Sequence, residues 1–235
     1  DVEGIYTADP RIIKSAKKIS LITFEEILEM SSLGSKVLHP RSVELAMKYG
    51  ITVHVKSSFV SRNGTMVLNE EKKLEKEVVT GIASSENDAK ITLKGIPDKP
   101  GIAAKIFGLL ANAKINVDMI VQNVSSDGKS TDMTFTVPRN DLDKALSVID
   151  SDAINLEFER IESDAYVAKI SVIGMGMRSH AGVASKMFNA LGDKGINIQV
   201  ISTSEIKISV LVSEEYTELA VRALHTAYGL DAATK

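Results

Sequence analysis

Two short segments of this chain place a glycine at the predicted start of a helix: DKPGIA at residues 98–103 and SHAGVA at residues 179–184. The first turn of a helix has backbone N–H groups without intrahelical acceptors, so such a turn can bind a small anion such as a carboxylate. Gly101 carries no side chain that would keep a ligand from the backbone. Asp98 can pair with an ammonium group, whereas Ser179 stands at that place in the second segment. The two turns therefore need not bind alike.

A structural role alone is the alternative for these residues. Pro100-Gly101 can simply begin a helix, and Asn116 can be an ordinary residue between a turn and a strand.

The two segments belong to an internal repeat that covers residues 98–122 and 179–203. Both copies run through a turn, a glycine, an amphipathic helix, Ile-Asn and a strand, which is typical of a structural unit that is used in pairs. For the first copy, the pattern predicts strands and helices in the order βαββαβ, a ferredoxin-like arrangement. The predicted elements are strand 89–95, helix 100–113, strand 115–124, a turn at 127–128, strand 130–138, a helix from Asn140 to Ile149 and strand 154–161.

The second copy lacks a fourth strand. Its predicted elements are strand 166–174, helix 181–194, strands 196–203 and 205–212, and helix 214–228. Residues 78–83 form a spare strand before the first copy, and we expect this strand to complete the second. The fold class is therefore α+β, with a first domain at 88–163 inserted into a second domain at 78–87 plus 164–235.

Residues 1–65 do not resemble the repeats, and we interpret them as the end of a larger α/β domain with its linker. Thr23 and Glu26 have the spacing of a capping box that begins a helix ending near Gly34. Pro40 suits the first turn of a second helix, which stops at Gly50. The polar residues 61–77 are expected to form a surface connection.

Composition excludes several classes of function. The net charge of −3 argues against binding to nucleic acid, and the absence of cysteine excludes a thiolate nucleophile and a Cys-based zinc site. The four histidines lack the spacing of a metal site. Without an apolar run that could span a membrane, we expect a cytoplasmic protein with no membrane partner. The chain starts without Met, in the middle of a pattern, and we expect it to be a fragment of a longer protein.

Several motifs now point to a known family. The glycine turn, helix and Ile-Asn-Val/Ile sequence resemble the ACT domain, a module that usually binds amino acids. DVEGIYTADPR at 1–11 and GSKVLHPR at 34–41 resemble the closing part of the amino-acid-kinase domain of aspartokinases. QNVS at 122–125 and STSEI at 202–206 resemble the tandem regulatory ACT pair of these enzymes. The resemblance covers essentially the whole chain.

This resemblance implies an activity for the full-length protein. Aspartokinases transfer the γ-phosphoryl group of ATP, with Mg²⁺, to the β-carboxylate of L-aspartate, which begins the biosynthesis of lysine, threonine, methionine and diaminopimelate. The family's Lys-Phe/Tyr-Gly-Gly-Thr/Ser segment is not found in these residues. We therefore expect a regulatory region with no catalytic residue and no cofactor of its own. The alternatives are a fragment that completes a kinase active site in trans and an ACT scaffold that dimerises without ligand.

The resemblance also assigns site residues. A nucleotide is expected at Asp1, Tyr6, Thr7, Ala8, Asp9, Pro10, Arg11 and Lys36. An amino-acid effector is expected at Asp98, Lys99, Pro100, Gly101, Ile102, Ala103, Asn116, Val117, Asp118 and Gln122 in the first copy, and at Val183, Ala184, Asn197, Ile198, Ser204 and Glu205 in the second. No metal site is expected. For the nucleotide segment, the alternative is a turn at Asp9-Pro10 and a solvated Lys36.

Feedback inhibition is the mechanism that this resemblance implies. L-Lysine, L-threonine or both would bind at ACT–ACT interfaces and favour an arrangement in which the kinase is less active. The partners expected are a second copy, in a homodimer formed through the ACT domains, or a full-length kinase subunit in a heterotetramer. Unpaired sheet edges favour such pairing.

Overall fold

The computed structural model describes residues 2–35, 37–69, 78–124, 128 and 130–231. The chain forms two compact units, Asp1–Ser85 with Lys169–Lys235 and Glu86–Ala168. The predicted limits of the inserted domain, residues 88 and 163, lie near those of the second unit. That the two units are separate domains stays a prediction.

The first part of the chain is a small α/β layer within the first unit. It contains β1 (Leu21–Thr23), α1 (Phe24–Ser32), α2 (Pro40–Lys48), β2 (Val53–Val55) and β3 (Thr65–Leu68). The strand order is β1-β3-β2, with β3 parallel to β1 and antiparallel to β2. The capping box predicted for Thr23 and Glu26 is present at the start of α1. The buried face of α1 contributes Phe24, Ile27 and Met30 to the hydrophobic core.

The prediction of a polar surface connection over 61–77 is wrong for residues 65–68, which form the central strand β3. Thr65 is fully buried, and its hydroxyl accepts a hydrogen bond from Ile5 N–H at 2.8 Å and donates one to Ile19 O at 2.6 Å. These backbone partners satisfy the Thr65 hydroxyl inside the core. The polar composition of the segment alone does not predict that it is buried. Residues 70–77 lie outside the described part of the chain.

The second unit has the ferredoxin-like order predicted for the first repeat. It contains the later part of β4 (Gly81–Pro97), α3 (Ile102–Asn112), β5 (Asp118–Val124), β6 (Ser130–Pro138), α4 (Leu142–Ser151), α5 (Ala153–Leu156) and the first part of β7 (Arg160–Ile173). Its strand order is β5-β6-β4-β7. Both long helices pack their buried residues into one core, including Ile106 and Leu110 from α3 and Ala145 and Ile149 from α4.

Two predicted elements in this unit differ from the structure. Asn140 does not cap a helix, because residues 139–141 form a 3-10 turn and α4 begins at Leu142. The predicted strand 154–161 is wrong in its first half, since residues 153–156 form α5 and bury Leu156 in the core. Strand β7 begins only at Arg160. Of the predicted turn at 127–128, only Gly128 lies among the described residues.

The repeat in the first unit uses the first part of β4, the last part of β7, α6 (Val183–Gly192), β8 (Val200–Thr203), β9 (Lys207–Ser213) and α7 (Thr217–Ala227). Its strand order is β4-β7-β9-β8. Thr80 N–H donates to Ile173 O at 2.8 Å, so the segment before β4 joins β7. The spare strand 78–83 and the strand 89–95 are parts of one element, because β4 continues from Gly81 to Pro97.

A buried polar network ties the start of the chain to α7 within this unit. Thr7 Oγ1 lies 2.9 Å from His225 Nε2, and His225 Nδ1 lies 3.1 Å from Asp231 Oδ1. Ser15 donates a hydrogen bond of 2.6 Å to the same oxygen of Asp231. Burial lowers the pKa of His225, which is 1 % exposed, and the Asp231 carboxylate only partly opposes this effect. The neutral imidazole is therefore the form that the fold favours.

The lowered pKa of His225 predicts a pH-dependent stability. The unfolded histidine has a pKa of about 6.5, so below this pH the unfolded chain binds more protons than the folded chain. We expect the free energy of unfolding to decrease as the pH falls below about 6.5, with a slope from this group of at most ~1.4 kcal/mol per pH unit. Urea unfolding of the chain and of His225→Gln from pH 5 to 7.5 measures the difference. Equal pH dependence of the two proteins would contradict the assignment, and His54→Gln, at an exposed histidine, is the control.

Gly174 provides a second stability test. A Cβ atom at this residue would lie 2.7 Å from Val79 Cα and 3.0 Å from Thr80 N, which are backbone atoms that cannot rotate away. We expect Gly174→Ala to lower the free energy of unfolding by ~1–3 kcal/mol. At Gly108 in α3 a Cβ atom meets nothing within 4 Å, so Gly108→Ala should be neutral or stabilising by up to ~1 kcal/mol in the same urea titration. A stable Gly174→Ala variant would show that these backbone segments separate easily.

Candidate functional site

The second repeat forms a groove of about 500 Å³ between the start of α6 and the turn that joins β8 to β9. We call it the α6 groove. It is lined by Met177, His180, Gly182, Val183, Ala184, Thr203, Ser204, Glu205 and Ile208. Four of the six effector residues predicted for this repeat, Val183, Ala184, Ser204 and Glu205, therefore lie in one cavity.

The start of α6 has the geometry expected of an anion-binding turn. Gly182 is the N-cap residue in the left-handed conformation, with φ +92°, and no side chain caps the helix. A Cβ atom there would meet nothing within 4 Å, so the backbone conformation, not crowding, favours glycine. Gly101 has nearly the same conformation at the start of α3, with φ +91° and no side-chain cap. The repeat thus preserves the same backbone turn in both units.

The neighbouring side chains hold this turn in place. Tyr228 Oη donates a hydrogen bond of 2.7 Å to Val183 O, and burial raises the pKa of Tyr228 to about 12, so the hydroxyl keeps its proton. His180 Nδ1 lies 2.8 Å from Gly176 O. Across the groove, Ser204 N–H donates to Lys207 O at 2.8 Å and closes the turn that carries Glu205. A helix N-terminus therefore faces a carboxylate-bearing turn, an arrangement suited to an amino acid with both charges.

The corresponding residues of the second unit surround the start of α3. Asp98, Lys99, Pro100 and Gly101 are exposed, while Ile102 and Ala103 are half-buried. Lys99 Nζ lies 3.5 Å from Glu157 Oε2, an exposed ion pair that contributes little to stability. Asp118 accepts a hydrogen bond of 2.8 Å from Met119 N–H.

The strand register separates the predicted effector residues of the second unit into two groups. Residues 98–103 follow the end of β4, where Pro97 pairs with Ser130 of β6, and Gln122 pairs with Met133, three residues further along β6. Asp118 lies level with Lys90, seven residues before that end, and Asn116 and Val117 precede it. At about 3.3 Å per residue, residues 98–103 and 116–118 lie roughly 20 Å apart along the strands, and Gln122 lies about midway between them. One copy of this unit does not bring them into a single pocket for a small ligand.

The repeat in the first unit shows the same division. Thr203 pairs with Ile208 beside the α6 groove, and Val200 pairs with Leu211 toward the other end of β8. Val200 lies roughly 10 Å from Thr203 along the strand, and Asn197 and Ile198 precede it. Neither of these two residues lines the groove.

A second groove, of about 600 Å³, lies in the first unit around residues 2–12. Its lining includes five of the predicted nucleotide residues, Tyr6, Ala8, Asp9, Pro10 and Arg11, and a pocket of this volume is typical of small-molecule sites. We call it the N-terminal groove. Asp1 and Lys36, also predicted to bind nucleotide, lie outside the described residues.

Asp9 and Arg11 form a bidentate ion pair at the rim of the N-terminal groove. Arg11 Nε lies 3.0 Å from Asp9 Oδ1 and one terminal guanidinium nitrogen lies 2.6 Å from Oδ2. The guanidinium lowers the pKa of Asp9, and the carboxylate raises that of Arg11. The Arg11 side chain is 81 % exposed, so it is accessible to a phosphate group in solvent.

Thr7 lies outside the N-terminal groove, unlike the other described residues that are predicted to bind nucleotide. It is 3 % exposed and does not line the N-terminal groove. Its N–H donates to Lys17 O, its carbonyl accepts from Ile82 N–H, and its hydroxyl meets His225. These contacts indicate that Thr7 positions the segment 6–11 from inside.

Sequence reasoning missed several residues that line the N-terminal groove. They are Glu3, Gly4, Met30, Ile82, Ala83, Ser84 and Val221. Met30 belongs to α1, Ile82 to β4 and Val221 to α7. No local sequence motif predicts that these separate segments lie next to one another.

The described residues contain no group of three or more His, Cys, Asp or Glu side chains placed to hold a metal ion. No helix in the described part of the chain has the length and apolar character needed to cross a membrane.

Comparison with known families identifies both parts of the chain. The ACT domain family matches residues 91–152 and 170–228, and the amino acid kinase family matches residues 1–57. The aspartate kinase of Pseudomonas putida is 53 % identical over 233 residues, which cover 99 % of this chain and 56 % of that protein. The chain thus spans little more than half the length of this curated relative.

Solved structures give the same result. The aspartate kinase of Clostridium acetobutylicum superposes with a TM-score of 0.88 at 28 % identity, over 97 % of this chain and 53 % of that one. The ligand-free regulatory subunit of aspartate kinase from Thermus thermophilus matches with a TM-score of 0.60 at 41 % identity, over 64 % of this chain and 98 % of that one. Aspartokinase III of E. coli, in complex with lysine and aspartate, gives a TM-score of 0.76 at 31 % identity, over 97 % and 50 %. The chain therefore belongs to the aspartokinase family and matches the regulatory carboxy-terminal part of these enzymes.

Proposed function

We propose that this chain is an amino-acid-sensing region that controls an aspartokinase, with L-threonine, L-lysine or both as feedback inhibitors. The observation that carries the proposal is the α6 groove, where an uncapped helix start with a left-handed glycine faces the turn that contains Glu205. The α-carboxylate of the effector binds at the N–H groups of residues 182–184, and its ammonium group binds Glu205. The lysine complex of E. coli aspartokinase III supports an amino acid as ligand.

Two copies of the chain complete the other effector sites. Within each unit, the helix start and the residues at or before the start of the outer strand, 116–118 in one and 197–198 in the other, lie toward opposite ends of the strands. A site that uses all of these residues takes one group from each of two units. We therefore propose a homodimer through the ACT domains, in which Asp98 of one copy and Asn197 of the other contact the same effector. A heterotetramer with a full-length kinase subunit satisfies the same geometry.

The full-length enzyme transfers the γ-phosphoryl group of ATP to the β-carboxylate of L-aspartate. The N-terminal groove contributes one wall of the nucleotide site, with Arg11 toward the phosphates and Tyr6 and Pro10 as apolar surface. We extend the nucleotide assignment to Asp1 and Lys36 on the family resemblance alone. In the full-length enzyme, Mg²⁺ bound with ATP would supply electrostatic stabilisation of the phosphates. Because phosphoryl transfer needs several elements positioned together, this chain alone binds nucleotide weakly and does not turn over.

Calorimetric titration of the chain with L-threonine and L-lysine, each alone and then together, tests the sensing function. We expect saturable binding of at least one amino acid. Glu205→Gln should weaken that binding about tenfold or more, because a hydrogen bond to a charged group contributes ~1.5–3 kcal/mol. Glu215→Gln is the matched control, since Glu215 is exposed on the 3-10 turn that follows β9 and does not line the groove.

The same titration separates the alternatives. Absence of heat with every combination, in a folded chain, would refute sensing by this region and favour a dimerisation scaffold. Binding that Asp98→Ala weakens, while Glu205→Gln leaves it unchanged, would move the site to the start of α3. Activity of the purified chain in a coupled assay with ATP and L-aspartate would contradict the assignment of a purely regulatory region.

A further inference from the structure

Helix α1 lies between the α6 groove and the N-terminal groove of the first unit. Met30, in its last turn, lines the N-terminal groove together with Gly34 and Ser35, which follow the helix. The side chains of Glu26 and Glu29 are directed to the repeat that forms the α6 groove. One rigid nine-residue helix therefore contacts the surroundings of both grooves.

Glu26 attaches α1 to one wall of the α6 groove, the wall formed by the turn 175–179 and the start of α6. Its side chain is fully buried, and Oε2 accepts the Thr23 N–H hydrogen bond of the capping box at 3.0 Å. Oε1 accepts hydrogen bonds from Thr80 Oγ1 at 2.6 Å and from Met175 N–H at 3.2 Å. Met175 begins the turn 175–179, and Met177 of that turn lines the groove. A displacement of this turn therefore changes the hydrogen bonds that hold the start of α1.

Glu29 attaches the next turn of α1 to the opposite wall, which is formed by residues 203–208 between β8 and β9. Its carboxylate lies 2.8 Å from Lys207 Nζ, and the two side chains are 28 % and 21 % exposed. Partial burial reduces screening of this pair by salt compared with a fully exposed pair. Lys207 lies in sequence between Glu205 and Ile208, which line the groove, but is not itself a lining residue. Gly174 N–H donates to Ile206 O at 3.0 Å and joins the two walls.

We propose that α1 transmits occupancy of the α6 groove to the N-terminal groove, with Glu26 and Glu29 as the positioning residues. This inference rests on the proposed function, because it requires an effector in one groove and a nucleotide in the other. An effector that draws the two walls together shifts Met175 and Lys207, and both are bonded to α1. The helix moves as one body and changes the position of Met30, Gly34 and Ser35. By linkage, nucleotide binding alters effector affinity by the same factor.

Helix α7 offers a competing connection that the experiment must distinguish. Val221 lines the N-terminal groove, and Tyr228, just after α7, donates its hydroxyl hydrogen bond to Val183 O in the α6 groove. Tyr228 reaches one wall only, through that hydrogen bond and through Lys186 of α6, whose Nζ lies 5.5 Å from the centre of the Tyr228 ring. Helix α1 is bonded to both walls, through a buried carboxylate and a partly buried ion pair. The α1 contacts therefore respond to closure of the groove from either side.

The test uses the full-length enzyme of which this chain is a part, with Lys207→Gln. Steady-state assays give the inhibition by L-threonine and L-lysine, and calorimetry gives effector affinity with and without a non-hydrolysable ATP analogue. We expect basal activity to be unchanged and effector affinity to stay within about twofold of the wild type. The factor by which the ATP analogue changes effector affinity should fall by about threefold or more. Lys94→Gln is the matched control, because Lys94 forms a 2.7 Å ion pair with Asp132 at similar exposure within the other unit. Coupling in this control should equal that of the wild type.

A charge exchange separates coupling from a general loss of stability. Glu29→Lys or Lys207→Glu alone places like charges together and should abolish the coupling, whereas the double variant restores an ion pair and should recover at least half of it. Unchanged coupling in Lys207→Gln, or its loss in Tyr228→Phe with retention in Lys207→Gln, would overturn the proposal. The wild type provides the separate check on function: if no amino acid inhibits it, feedback sensing itself fails. A wild type that responds while Lys207→Gln responds equally refutes only the role of α1.

Discussion

The buried carboxyl group of Glu26 is the constraint on which the first unit depends. A buried acceptor without hydrogen-bond partners costs about 1–3 kcal/mol, and a charged one costs more. Thr23, Thr80 and Met175 must therefore remain in place around Glu26. These residues come from the kinase-like layer, from the segment before β4 and from the turn after β7. One side chain thus fixes where three distant parts of the chain meet, because hydrogen bonds are directional and hydrophobic contacts are not.

The internal repeat conserves backbone more strictly than chemistry. Gly101 and Gly182 adopt almost the same left-handed conformation, each at the start of an uncapped helix. The residues around them differ in type. Asp98 of the first turn has Ser179 as its counterpart in the sequence, and Glu205 lies in the connection between β8 and β9. In the proposed effector sites, these different residues give the two copies of the turn unequal specificity.

Many elements could be predicted from sequence, and the errors have physical causes. Capping residues and apolar periodicity located α1, α2, α3, α6 and α7 within a few residues, since these signals act within a few turns of the chain. Strand β3 was missed because its buried Thr65 is satisfied by Ile5 and Ile19, which are distant in sequence. Strand β7 was predicted as two strands, 154–161 and 166–174. It starts only at Arg160 because the residues before it form α5, which buries Leu156 in the core.

The sequence by itself determined the family, the duplication and the glycine turns, because these features reside in local spacing and residue type. The tertiary structure decided which predicted site residues share a cavity. It placed Glu205 with Val183 in one groove, separated Asn197 from both, and turned Thr7 inward against His225. It also placed α1 between two grooves. Strand register and long-range hydrogen bonds set these relations, and both depend on the packing of segments far apart in sequence.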